Sequence, residues 1–104
     1  MIYAVSTLLV GKHQDDSQEP LWQECIFLVE ADSSESARGL AAPLARQHEV
    51  RYETVAGAME WRFHAVQSVF EIDGDQLTHG IEVFSRFLRN SEAISLLEPF
   101  EDSP

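Results

Sequence analysis

The first strand-forming run is apolar on both sides, and this constrains the fold more than any other feature of the chain. Residues 2–10, IYAVSTLLV, are rich in β-branched and aliphatic side chains and too short for a buried helix. Successive side chains of a strand point to opposite faces, so Tyr3, Val5 and Leu9 line one face while Ile2, Ala4, Leu8 and Val10 line the other. A strand of that pattern needs cover on both sides. Residues 12–20 are polar and end in Pro20, a nine-residue loop suited to a hairpin, and residues 21–31 form the second strand.

A helix follows. Asp32 and Glu35 have the spacing of a capping box, and Ala37, Leu40, Ala41, Leu44 and Ala45 recur at helical spacing, with Arg38, Arg46 and Gln47 off the stripe. Pro43 lacks an N–H and its ring crowds the carbonyl of Gly39, so a bend is expected there. Residues 50–55 predict a short strand and Ala56-Gly57 a turn. Residues 59–72 are long for one strand, and their apolar face switches from Met59, Trp61, Phe63 and Ala65 to Val66, Phe70 and Ile72. That switch predicts a bulge or bend near Val66. Asp73-Gly74 opens a loop to Gly80, residues 81–88 predict a last strand, and residues 91–97 a short amphipathic helix stopped by Pro99.

The predicted order is β-β-α-β-β-β-α, an α+β fold with a curved antiparallel sheet of about five strands and one long helix packed on one face. Residues 1–98 are read as a single domain and residues 99–104 as a frayed acidic tail. One helix covers one face, which leaves apolar positions of the first and fourth strands open. Homodimerisation through that second face is the expectation.

The chain has 104 residues and is 44% hydrophobic, enough for one core. It has no apolar run near the roughly 20 residues that span a bilayer, and no basic residue among its first ten. Neither a membrane nor a secretory setting is therefore expected, and a cytoplasmic one is. Cys25 is the only cysteine, so no internal disulfide forms, and its apolar neighbours suggest a buried, inert thiol. Eighteen acidic and seven basic side chains give a formal charge of −11, which repels nucleic-acid phosphates. The distribution is uneven. Residues 13–37 hold seven acids, Asp15, Asp16, Glu19, Glu24, Glu30, Asp32 and Glu35, and no Lys or Arg. Such a stretch is either a solvated surface or a face that steers toward a basic protein partner, with Asp15, Asp16, Glu19 and Glu24 at its centre.

Chemistry-bearing motifs are few. Glu60 and His64 would share a helix face, but on a strand they stand about 13 Å apart, too far for one metal. From Asp73, a calcium loop would need glycine where Thr78 stands and glutamate where Phe84 stands. There is no phosphate-binding glycine loop and no nucleophile elbow. No catalytic residue, metal ligand or cofactor site is assigned. Two aromatic-charge clusters remain, Trp61-Arg62-Phe63 and residues 82–87, EVFSRF. Their ordinary role is a cross-strand ion pair with aromatic packing. The functional alternative is a groove in which Tyr3, Trp61, Arg62, Glu82 and Arg86 bind an anionic or aromatic group.

Tyr3-Ala4-Val5, Leu28-Val29-Glu30-Ala31 before a Ser- and Glu-rich helix start, Trp61-Arg62-Phe63 and Glu82-Val83-Phe84-Ser85-Arg86 occur in the order that resembles the short bacterial proteins grouped as domain of unknown function 4288. The likeness spans most of the chain, with Pro43 and the acidic tail as departures. It implies a bacterial cytoplasmic setting and supplies no catalytic residues. The function expected is a non-enzymatic interaction or regulatory module, of immunity or antitoxin type, that meets a basic partner. The alternative is a small-molecule binder or hydrolase with a pocket near Trp61 and Arg86, using Glu82 or His64 as polar groups.

Overall fold

The computed structural model describes residues 1–15, 17–72, 77 and 79–101, the last four without their side chains. The elements are β1 (Ile2–His13), β2 (Leu21–Glu30), α1 (Ser34–Arg46), β3 (Val50–Thr54), β4 (Gly57–Ile72) and α2 (Asn90–Glu101). The four strands form one curled antiparallel sheet in the order β2-β1-β4-β3. The doubly apolar β1 is thus central, as its pattern requires.

α1 lies across one face. Ala37, Ala41 and Ala45 are fully buried, and their small side chains bring the helix close to Tyr3, Val5 and Val29. Phe27, Ala31, Leu44, Val66 and Val69 complete this core. Each large aliphatic side chain so buried contributes about 1.5–3 kcal/mol. The helix starts one residue later than the Asp32 capping box predicts. Ser33 is extended (φ −152°) and its hydroxyl accepts the Ser36 N–H at 3.1 Å, so Ser33 is the cap. α1 continues through Pro43 to Arg46.

The expected irregularity near Val66 is present as two register shifts. Ser6 pairs with Ser68 but Thr7 with Val66, and Leu8 pairs with Ala65 but Leu9 with Phe63. Gln67 and His64 are the extra residues. Groups of this strand not used by β3 find other partners, since the Glu49 carboxylate accepts the Phe63 N–H at 3.0 Å and the Arg38 guanidinium donates to the Val66 carbonyl at 3.3 Å.

The predicted fifth strand is not formed, and the sheet has four strands. Residues 81–89 have no regular structure. They lie on the face opposite α1, where Phe84 meets Phe70 edge to face at 6.5 Å and Arg86 reaches Glu24. Alternation in this segment reflects side chains gripping a face, not a ladder of backbone bonds. α2 extends past the predicted stop at Pro99 and, among the described residues, touches none of the other elements. The radius of gyration, 16.6 Å, accordingly exceeds the roughly 13 Å of a compact domain this long. The described stretches exclude Asp16, most of the expected loop from Asp73 to Gly80, and the last three residues of the expected frayed tail. No described helix is long and apolar enough to cross a membrane.

Candidate functional site

The face of the sheet opposite α1 carries Ala4, Ser6, Leu8 and Val10 of β1, flanked by Trp22, Glu24, Ile26 and Leu28 of β2. Ser6 is fully buried in the middle of this face. A bulge re-aims the side chain of its extra residue, and the one at Gln67 turns an amide toward Ser6. The Ser6 hydroxyl donates to the Glu24 carboxylate. The neighbours of Gln67 assign its amide orientation: with the NH₂ toward the two acceptors it donates to Glu24 Oε2 at 3.0 Å and to Ser6 Oγ at 3.2 Å, and its carbonyl accepts from Arg86 Nη1 at 2.9 Å. Arg86 Nη1 also lies 3.9 Å from Glu24 Oε2. The four side chains form a closed network that pins residues 81–89 across the sheet. At the second bulge, His64 stands edge-on to Trp22 with ring centroids 5.0 Å apart.

This network is a latch and not a catalytic centre. The one hydrogen of Ser6 is committed to Glu24, and full burial keeps a substrate from its oxygen. No group of three or more His, Cys, Asp or Glu is placed to hold a metal ion among the described residues.

The residues singled out from the sequence fall in separate places. Tyr3 is buried beneath α1, where burial and the nearby Glu71 and Asp32 raise the pKa of its phenol. Trp61 pairs with Gly11 eight positions further along β1, about 26 Å away at strand rise. It shares the α1 side of the sheet with Phe63, over which Arg46 sits at 5.4 Å, and its indole N–H donates to the Tyr52 hydroxyl at 3.1 Å. Arg62 is on the opposite side, bonded to Glu60 at 2.8 Å and 4.0 Å from Glu49. The hydrogen bond and charge of Arg62 hold the Glu60 carboxyl below its usual range, and Glu60 raises Arg62 in turn. Glu49, Val50, Arg51, Glu60, Trp61 and Arg62 line a cleft of about 180 Å³. Arg86 is in the latch, on the face away from Trp61, and Glu82 is exposed. The structure brings Trp61 and Arg62 to one cleft and does not bring Tyr3 or Arg86 to it.

Of the acidic face, Asp15 and Glu19 are exposed in the β1–β2 loop, and Asp15 is held below its usual range by the Ser17 N–H at 3.0 Å. Glu24 is engaged in the latch. Cys25 is a half-buried free thiol. Sequence reasoning missed Ser6, Gln67 and Trp22. A polar residue in a run apolar on both sides was the available signal for Ser6, and the face switch in β4 was the signal for Gln67.

The assembled features define an α+β domain with one face covered by a helix and the other crossed by an extended, latched segment. The chain belongs to the family described as a domain of unknown function, DUF4288, whose model matches residues 2–85 of 104. That span contains the sheet and α1 and ends before Arg86 and α2. Neither a curated protein nor a solved structure matches the chain.

Proposed function

We propose that this chain is a non-enzymatic protein-interaction module of the bacterial cytoplasm, a homodimer whose acidic surface engages a basic protein partner in a regulatory or immunity-like role. The observation that carries this reading is the uneven use of charge. Arg51, Arg62 and Arg86 are in ion pairs within the chain, Arg46 covers Phe63 and Arg38 donates to a backbone carbonyl. Exposed Asp15, Glu19, Glu30 and Glu35 have no cationic side chain within 4.0 Å among the described residues. Opposite charge steers and registers a partner more than it sets raw affinity.

Titration with a polylysine peptide tests this reading. Binding should weaken at least about tenfold when salt rises from about 50 to 300 mM. The triple variant D15N/E19Q/E30Q should lose about three- to tenfold more affinity than E53Q/E71Q/E82Q, which changes the same charge elsewhere. Equal loss in both variants, or binding indifferent to salt, would refute it. The alternative of a ligand pocket at Trp61 with Arg86 has less support, because the two lie on opposite faces and the cleft beside Trp61 is smaller than the roughly 300 Å³ of ordinary ligand sites.

A further inference from the structure

Two apolar surfaces of the described residues are left half exposed, and they are complementary in kind. The first is a stripe along β2, where Trp22, Ile26 and Leu28 are 52%, 47% and 55% exposed on the face away from α1. β2 is an edge strand, so the stripe borders the rim of the sheet. The second is one side of α2. Ala93, Ile94, Leu96 and Leu97 fall at helical spacing on a common face, and the last three are 47%, 52% and 48% exposed. Among the described residues α2 touches no other element of its own chain. A three-turn helix without packing is marginal in water, so this one needs a surface to lie on.

The path of residues 81–89 relates the two surfaces. The segment is held at Phe70 on β4 by Phe84 and then at Glu24 on β2 by Arg86, so it crosses the sheet toward the β2 edge. Only Phe87, Leu88 and Arg89 separate the latch from Asn90, and Phe87 is fully exposed. Among the described residues α2, which starts only three residues beyond the latch, makes no contact with the stripe of its own chain.

We infer that α2 is an exchanged arm, docking on the Trp22-Ile26-Leu28 stripe of a second copy while the second copy's α2 docks on the first. A two-fold axis satisfies both surfaces of both chains at once, the isologous arrangement that closes as a dimer. The area is adequate. Six half-exposed large side chains per copy, at about 200 Å² each when fully exposed, remove about 1,200 Å² in the pair, the lower end of specific interfaces, before Phe87 is added. This inference rests on the homodimer in the proposed function and names its surfaces. It does not depend on the basic partner.

The full-length chain tests it through mass and through Trp22. In a W61F background, Trp22 is the sole indole, and W22F supplies the Trp61 spectrum for subtraction from wild type should W61F fold poorly. Light scattering at about 100 μM should give the mass of two 11.8 kDa chains. The dimer should hold or strengthen as salt rises, because both copies are acidic. I94D/L97D alters half-exposed side chains of a helix that contacts no other element among the described residues, so it should leave the circular dichroism of the sheet intact. It should weaken dimerisation at least about 100-fold and shift Trp22 emission to the red. A single-chain mass at every concentration overturns the inference. So does a dimer that survives I94D/L97D, which would leave a homodimer built along another surface such as the β2 edge. A Trp22 shift in a protein that is already single-chain overturns it as well, since the arm would then lie on its own sheet. I94N/L97N, which adds no charge, should keep the salt dependence of polylysine binding, so failure of the basic-partner reading is seen separately.

Discussion

The neighbours of Gly11 leave no room for a side chain. A Cβ built there would lie 2.6 Å from Met59 Cε and 2.7 Å from two indole carbons of Trp61. Gly11→Ala should therefore displace the indole and cost about 1–3 kcal/mol, read as a lower midpoint in denaturant with an unchanged slope. Glu60 and Arg62 supply a second residue-level prediction. The folded carboxyl of Glu60 is depressed below its ordinary 4.5, so the pair's contribution is present above that value and is lost as pH falls through the depressed one. In an NMR titration the Glu60 carboxyl should move back toward 4.5 in Arg62→Gln, and an unmoved titration would show that Arg62 is not the cause.

Among elements, the extended segment over the open face depends on the latch more than on backbone bonds. Arg86→Ala removes the donor to Gln67 and the cation beside Glu24, leaving both acceptors short of a partner. The expected cost is about 1–2 kcal/mol, with amide exchange accelerated in residues 81–89 and unchanged in β1. Equal acceleration in β1 would mean that the latch supports the whole sheet. α1 shows what patterning can establish. Its apolar stripe of Ala37, Leu40, Ala41, Leu44 and Ala45 marked the buried side; the three alanines are fully buried while Leu40 is half exposed, and the cap fell on Ser33 because consecutive Asp and Ser residues compete for the same role. The bulges were legible as a change of face near Val66. Their assignment to Gln67 and His64 was not, because it depends on how β4 registers against β1.

For the whole molecule, salt separates the two interactions proposed. Partner binding through exposed carboxylates should weaken with salt, whereas an apolar arm exchange between two acidic chains should not. The amino-acid sequence by itself determined that β1 is a strand needing cover on both faces, that one amphipathic helix covers one of them, and that acids gather in the first loop and β2. Those features are local or periodic, so a single chain displays them directly. Only the tertiary structure decided that residues 81–89 cross a face instead of joining the sheet. It alone placed Trp61 and Arg86 on opposite sides, joined Ser6, Glu24, Gln67 and Arg86, and left α2 unpacked. The physical reason is that alternation specifies an extended chain with one gripping side. It says nothing about which backbone edges are free, and here β2 and β4 already occupy both edges of β1.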